Sequence, residues 1–390
     1  MGRNPQHETA PRRPAAVDTV REVSAQAASA ARVRRHAAPY DLSPTGWLTE
    51  DANHRGRTRG VRDRAAYLDP ASLAPRRRTD AELQDPRLAR LDAWLTDRVN
   101  RVKATDEELA TAEFRAQAVI GALDRIYPGA EVYRTGSIAH GDAMHPLNDV
   151  DLGVILTDRP ELGPDGLGPR AEMRHVAGEL VKRLKPTFPK LSADPEGKRS
   201  VVLTFNAVQG ASDPDFTCDV IIALPGPDQT LLIPNTDLRG GWDQNDPRGH
   251  VDRVQRVDAA SGGSLSRTVR LAKHWRDRHG KPLYSWNIKT LALEALSGAS
   301  HPFEGLYRFF EHSAGAVAEG PTENPGSMAY PPPTVAGNRG EATRQLLDAL
   351  ARLELARLAA LAGKDDAAEQ ALGRFFGDGI DGPGGAAFSG

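Results

Sequence analysis

The sequence has little of several features that mark whole classes of protein. It contains one cysteine, Cys218, which excludes an internal disulfide and a zinc site built from several cysteines. The sequence contains no run of about eighteen apolar residues, so a membrane-spanning helix is not expected. The formal net charge of -2 argues against a chain that is coated by nucleic acid along its length. The first twenty residues also lack the apolar segment of a signal peptide. We therefore expect a cytoplasmic protein whose bound cations are held by carboxylates.

Composition divides the chain into four segments. Residues 1–85 are rich in Arg, Ala and Pro with little periodicity, which predicts a poorly ordered N-terminal extension. Its Arg clusters are typical of a solvated tail, although an arm that binds nucleic acid or a partner protein would have the same composition. Residues 86–235 predict a small domain of strands and helices, residues 236–377 a helical domain and residues 378–390 a flexible tail.

Helical and strand patterns alternate within residues 86–235. The segment TDEELATAEFRAQAVIGALDRI predicts a long helix, in which Thr105 and Glu108 suit a capping box. Strands are predicted at EVYRT, DVDLGVIL, RSVVLTFNAV and FTCDVIIAL. The segment IPNTDLRGGWDQNDPRGH is rich in Asn, Gly, Asp and Pro, and we predict a loop there.

Two carboxylates lie two residues apart in one of these apolar strands. Side chains alternate along a strand, so Asp149 and Asp151 would share one face. Asp219 lies near the start of the later run FTCDVIIAL and would join them from a neighbouring strand. Like charges converge only where a cation compensates them, which predicts Mg²⁺. Two such ions about 4 Å apart would hold the phosphates of a nucleotide and activate a hydroxyl close to Asp219.

A Gly-Ser pair precedes this strand and suits the same chemistry. Gly136 would let the backbone approach a phosphate, and Ser137 would offer a hydroxyl and an amide to it. Taken singly, these features have simpler interpretations: the acids of the first strand as a solvated face, and Asp219 as the cap of its own strand. Their combination in this order favours a nucleotide site.

At this point the sequence resembles a known family. GSIAHGDAMHPLNDVDLGVIL, with the later CDVIIAL, resembles the active site of the DNA polymerase β-like nucleotidyltransferase superfamily, in which three acidic residues bind two metals. LSRTVRLAKHW and YSWNIKTLALEAL are similar to the oligoadenylate synthase and cyclic GMP-AMP synthase branch and its bacterial relatives, the cGAS/DncV-like nucleotidyltransferases (CD-NTases). The resemblance covers about residues 105–375. It implies an α+β fold of two lobes, a mixed sheet with helices packed on a C-terminal helical domain.

The resemblance also implies roles for individual residues. Asp149, Asp151 and Asp219 would bind two Mg²⁺ ions, or Mn²⁺, and would be the catalytic residues. The nucleotide would be bound by further residues of the motifs: Gly136, Ser137, Lys273, Ser285 and Trp286. In this scheme Lys273 reaches the donor triphosphate, Ser285 adds a phosphate contact and Trp286 stacks on a base. From the residues alone, Lys273 would equally be a solvated helix lysine, and Trp286 would more simply be a core tryptophan.

The function implied by the resemblance is synthesis of a second messenger. The enzyme would join nucleoside triphosphates, ATP among them, into a cyclic di- or trinucleotide with release of pyrophosphate. The setting would be bacterial anti-phage signalling (CBASS), with regulatory or effector proteins of a defence operon as partners. Three alternatives remain: another nucleotidyltransferase that makes linear oligoadenylate, extends tRNA ends or modifies antibiotics; an inactive scaffold that binds nucleotide or RNA; and an interaction protein that works through residues 1–85.

Two departures from the family pattern are visible. Asp142 follows Gly141, where relatives often have Thr or another small polar residue. No cluster of Cys and His resembles the zinc ribbon of the animal DNA sensor, so activation by double-stranded DNA through that element is not expected.

Overall fold

A mixed β-sheet forms the centre of the first lobe in the computed structural model, which describes residues 77–205, 216–296, 298–320 and 338–378. The strands are β1 (Glu131–Thr135), β2 (Asp149–Ile155), β3 (Leu191–Asp194), β4 (Val201–Phe205), β5 (Phe216–Pro225), β6 (Leu231–Pro234) and β7 (Trp242–Asn245). Their order is β1-β2-β5-β4-β3, and β6 pairs with β5 and β7. The β2–β5 pair is parallel, whereas the other pairs are antiparallel.

Helices flank the sheet and make up the second lobe. They are α1 (Asp80–Leu83), α2 (Ala89–Val102), α3 (Asp106–Ile126), α4 (Gly136–Ala139), α5 (Arg170–Leu184), α6 (Pro247–Ala260), α7 (Ser264–Arg278), α8 (Ser285–Ala295), α9 (Pro302–Glu319), α10 (Arg339–Leu361) and α11 (Asp365–Phe375). None of these helices is long and apolar enough to cross a membrane. The predicted fold class, a mixed sheet with helices beside a helical domain, is confirmed.

The strands and the long helix form where the sequence predicts them. Each of the four predicted strand segments contains a strand, although residues 206–208 of RSVVLTFNAV lie outside the described residues. Helix α3 begins with the predicted capping box: the Thr105 hydroxyl accepts a hydrogen bond from the backbone of Glu108, whose side chain accepts one from the backbone of Thr105. This exchange satisfies two amides that a helix start otherwise leaves without partners.

One face of the sheet forms the apolar core of the first lobe. Val150, Leu152 and Val154 alternate along β2 on this face, where helix α3 packs against the strand, and they belong to a core that also includes helix α5. The intervening residues Asp149 and Asp151 therefore point to the opposite face, where α3 and α5 do not cover them. The period of two in the sequence thus decides which side of the sheet carries the polar groups.

The second core is helical and includes a segment from early in the chain. Leu91 and Leu95 of α2 are buried in the core formed with α7 to α11. The prediction that assigned all of residues 86–235 to the first domain is therefore wrong for this helix. The described part of the predicted extension, residues 77–85, contacts the same core, since Leu83 of α1 is buried there and Arg78 forms a salt bridge with Glu354 at 2.8 Å. The apolar stripe of a helix shows that one of its faces is buried. It does not identify the element that covers this face, because that element is distant in sequence. Residues 1–76 and 379–390 of the predicted extension and tail lie outside the described residues.

The prediction of a loop over IPNTDLRGGWDQNDPRGH is wrong in part. Trp242–Asn245 is strand β7, which pairs with Leu231–Pro234, and helix α6 already begins at Pro247. The Trp242 indole is buried in the core of the first lobe and donates to the carbonyl of Leu162 at 2.6 Å. Composition indicated a loop because the strand is short and polar, and its pairing partner stabilises it instead.

Two histidines lie against each other where α4 meets α6, with His140 buried and His250 half-buried. The ring centroids of His140 and His250 lie 5.0 Å apart. Burial, together with the nearby Lys289 ammonium, lowers the pKa of His140 to about 3 and that of His250 to about 4. Both imidazoles are therefore neutral near pH 7 in the folded protein.

We predict that acidification below about pH 6.5, the ordinary pKa of histidine, destabilises the protein partly through this pair. The unfolded chain takes up a proton at each imidazole below that pH, whereas the folded chain resists protonation until about pH 4 at His250. Each histidine then removes about 1.4 kcal/mol of unfolding free energy per pH unit. Urea unfolding at pH 7.0 and 5.5 should show a smaller loss for His250→Asn than for the unmodified protein. An equal loss would contradict the prediction.

Candidate active site

Three carboxylates meet on the open face of the sheet because β2 and β5 are parallel neighbours. The register pairs Asp151 directly with Asp219, and Asp149 with Thr217. Paired strands lie about 5 Å apart, so side chains in register on one face are neighbours. The structure thus brings together the three acids that the sequence singled out as catalytic and metal-binding.

The environment of these acids disfavours their charge. Burial, followed by repulsion from Asp149 and Asp219, raises the pKa of Asp151 to about 7. Burial also raises the pKa of Asp219, against a hydrogen bond with Ser200 that favours its ionised form. Such crowding of carboxylates is costly unless a cation neutralises it.

The residues suit a magnesium site in their chemistry, although they do not form a finished cage. Among the described residues, no three Asp, Glu, His or Cys side chains are arranged so that they could hold a metal ion by themselves. Mg²⁺ prefers oxygen ligands and takes one or two protein carboxylates together with water and substrate phosphates, rather than a cage made by the protein alone. The oxygen donors of Asp149, Asp151 and Asp219 fit that requirement.

The Gly-Ser turn lies directly against these carboxylates. Gly136 begins the short helix α4 with a φ of 73°, in the left-handed region that glycine tolerates. A Cβ at this position would lie 1.6 Å from Oδ2 of Asp151, so only glycine leaves room for the carboxylate. Ser137 follows and is half-buried. The structure therefore brings the turn and Asp151, which the sequence singled out separately, into direct contact.

Two features beside the acids were not found from the sequence. Ser200, which is buried, hydrogen-bonds Asp219 from the neighbouring strand region. On β1, the ring of Tyr133 covers Gly153, where an added Cβ would lie 2.0 Å from Cζ of the tyrosine. Both depend on pairing between distant segments, and a serine or a glycine alone gives no sequence signal for it.

Lys273 was expected to reach a triphosphate, but in the structure its ammonium group is paired with a carboxylate of the protein. It is buried on α7, and its ammonium lies 2.5 Å from Oδ1 of Asp142. Lys289 on α8 lies 3.4 Å from the other oxygen of the same carboxylate. The two lysines also act on Asp151, since their positive charges lower the pKa of this carboxyl against its burial. The helical lobe thus supplies cations behind the Gly-Ser turn.

The other predicted nucleotide contacts lie at the start of α8. Ser285 is the first residue of this helix, and its hydroxyl accepts a hydrogen bond from the Arg276 guanidinium. Trp286 follows it and is half-buried. Ser285 is therefore held by a cation that itself suits phosphate, while Trp286 keeps part of its ring accessible.

In sequence, the chain is similar to known proteins over about half of its length. No protein-family model matches the chain. A cyclic AMP-AMP-AMP synthase of Escherichia coli (strain MS 115-1) is 23% identical over 205 residues, which are 51% of this chain. The chain spans about 60% of the length of that relative.

Solved structures give a broader likeness. CdnC of E. coli MS115-1, determined in a complex with HORMA-deltaN, superposes with a TM-score of 0.55 at 18% identity, over 74% of this chain and 98% of CdnC. The CD-NTase CdnG of Bradyrhizobium diazoefficiens, determined with GTP, superposes with a TM-score of 0.53 at 16% identity, over 73% of this chain and 99% of CdnG. The chain therefore has the fold of the CD-NTases and resembles one of their cyclic nucleotide synthases in sequence.

Proposed function

We propose that this protein is a metal-dependent nucleotidyltransferase that joins nucleoside triphosphates into a cyclic di- or trinucleotide. The observation that carries the proposal is the register of β2 and β5, which sets Asp151 opposite Asp219 with Asp149 beside them. The Gly136 turn, packed against Asp151, supports it further. The similarity to a cyclic trinucleotide synthase and to CD-NTase structures points to the same chemistry.

In this mechanism the residues divide the work between binding and proton transfer. The Gly136-Ser137 turn positions the phosphates of the donor nucleotide next to the carboxylates. Asp219 would lie nearest the acceptor ribose hydroxyl and take up its proton, and the hydrogen bond with Ser200 orients that carboxylate and favours its ionised form. Two Mg²⁺ ions, held by Asp149, Asp151 and Asp219, would neutralise phosphate charge and lower the pKa of the attacking hydroxyl. The new bond joins the ribose oxygen to the α-phosphorus, and pyrophosphate leaves.

The wider setting belongs to the same proposal. We place the enzyme in the cytoplasm of a bacterium, with ATP among its substrates and with a role in anti-phage signalling. The solved complex of CdnC with HORMA-deltaN supports a search for a regulatory protein that binds this chain. The chemistry of the site itself needs no such partner to be tested.

The first test is product analysis. We expect the protein, incubated with radiolabelled nucleoside triphosphates singly and mixed in the presence of Mg²⁺ or Mn²⁺, to form a phosphatase-resistant product. The Asp149→Asn/Asp151→Asn variant should form it about a thousandfold more slowly, because the site then loses several kcal/mol of charge stabilisation. Chromatography after phosphatase treatment measures the product.

The matched control is Asp194→Asn, which removes an exposed aspartate at the end of β3 and should leave the product unchanged. Label found only in phosphatase-sensitive linear species would contradict cyclisation and favour an oligonucleotide polymerase. A product that survives in the Asp149→Asn/Asp151→Asn variant would contradict the assignment of the site.

The second test measures stability instead of turnover. Asp151 is half-buried and is repelled by two other acids. Asp151→Asn should therefore stabilise the metal-free protein at pH 7 by roughly 2–4 kcal/mol, the gain that the rise of its pKa to about 7 implies once partial exposure reduces it. The melting temperature in EDTA should increase by a few degrees. Mg²⁺ with a nonhydrolysable triphosphate should then raise the melting temperature of the unmodified protein but not that of the variant. A variant less stable than the parent in EDTA would show that Asp151 has a structural role.

A further inference from the structure

A buried ionic cluster joins the Gly-Ser turn to the helical lobe. Its centre is Asp142, whose carboxylate lies between the ammonium groups of Lys273, at 2.5 Å, and Lys289, at 3.4 Å. Lys289 also lies 2.5 Å from Nδ1 of His140. Arg270 of α7 donates to the carbonyl of Ala143 at 3.2 Å, so a third cation holds the same stretch of chain.

The cluster is almost completely removed from solvent. Asp142 is 1% exposed, Lys273 5% and Lys289 6%. Burial opposes the charge of Asp142, yet the two ammonium groups outweigh it and hold the pKa of this carboxyl below its ordinary value. Buried charges persist only when they are paired in this way, and removal of one partner leaves the other uncompensated. The lysines are therefore bound to Asp142 more firmly than surface ion pairs would be.

Asp142 is also tied to the phosphate-binding turn through its backbone. Its amide donates to the carbonyl of Ser137 at 3.0 Å, and the amide of His140 donates to the carbonyl of Gly136 at 3.1 Å. A shift of the Asp142 side chain would consequently move the residues that face Asp151. The helical lobe thus contacts the turn through the Asp142 carboxylate, in addition to the contacts of Lys289 with His140 and of Arg270 with the carbonyl of Ala143.

We propose that Asp142 is a positioning residue for the triphosphate, through which Lys273 and Lys289 hold the Gly136–Asp142 turn in its binding geometry. The inference deepens the proposed function and rests on it. The lysine ammonium groups stabilise the turn and contribute positive potential near the nucleotide, and Asp142 occupies the contacts that a phosphate oxygen would otherwise take. Lys273 then serves the nucleotide indirectly.

The competing arrangement predicts the opposite sign. If Lys273 binds the triphosphate directly, the Asp142 carboxylate competes with the substrate for the same ammonium. Removing the negative charge would then tighten nucleotide binding. If Asp142 positions the turn, removing its charge weakens binding, because two buried lysines lose their anion and the turn loses its anchor.

The experiment compares three variants of the full chain: Asp142→Asn, Lys273→Met and the double variant. Calorimetry with a nonhydrolysable ATP analogue and Mg²⁺ gives the dissociation constant, and pyrophosphate release from ATP gives KM and kcat. We expect Asp142→Asn to weaken binding and raise KM about tenfold, within the range of coupled neighbouring residues. Lys273→Met alone should change binding by less than about threefold, since Lys289 still pairs with Asp142. The double variant should bind no more weakly than Asp142→Asn.

Two controls and one fallback make the outcome decisive. Lys182→Met removes an exposed lysine of α5 and should change neither constant. Circular dichroism fixes a temperature at which every variant is folded, so that a loss of stability alone does not alter KM. If Asp142→Asn does not fold, Lys273→Met distinguishes the two arrangements. Loss of a direct phosphate ligand would weaken nucleotide binding at least about tenfold, whereas the positioning role predicts a change of less than about threefold.

Each result bears on a different claim. Tighter binding by Asp142→Asn, or a large loss in Lys273→Met that persists in the double variant, overturns the positioning role and leaves the proposed function intact. If the unmodified protein binds no nucleoside triphosphate, the proposed function fails and the inference fails with it.

Discussion

The parallel pairing of β2 with β5 is the constraint on which the site depends. It sets acidic residues from distant parts of the chain side by side, at the same height on one face of the sheet. The apolar residues between them are fixed in the opposite core, so neither strand can slip by one residue without burying its carboxylates and exposing its core side chains. The stability of the sheet therefore also guarantees the geometry of the acids.

This arrangement has a stability cost that the rest of the fold offsets. Burial and mutual repulsion raise the pKa of Asp151, which means that the folded chain works against the charge of its own site. The cations of α7 and α8 oppose that effect from behind the turn, since Lys289 and Lys273 both lower the pKa of Asp151. The helical lobe is consequently part of the electrostatics of the site and not only a support for it.

Local patterns in the sequence were sufficient for four of the strands, for the long helix and for placing the three acids on strands. The alternation of Val150, Leu152 and Val154 with polar residues indicates a strand and its buried face, and Thr105 with Glu108 indicates a helix start. Both signals arise between residues close together in the chain, where geometry follows directly from spacing.

Contacts between distant segments could not be predicted in the same way. The packing of α2 in the helical core, the strand at Trp242–Asn245 and the pairing of Lys273 with Asp142 each depend on which segments meet in three dimensions. A lysine on a helix has the same sequence signature whether it faces solvent, a phosphate or a buried carboxylate. The departure at Asp142 was visible in the sequence, but its partner was not.

The ring of Tyr133 covers Gly153, so the residues allowed at positions 133 and 153 depend on each other. The aromatic ring of Tyr133 fills the volume that a side chain at position 153 would need. A larger residue at 153 is therefore tolerated only after position 133 has become smaller, and a smaller residue at 133 first leaves a cavity. The two sites must change together or pass through a less stable intermediate, so sequences that share this fold should show them as a covarying pair, one bulky where the other is small.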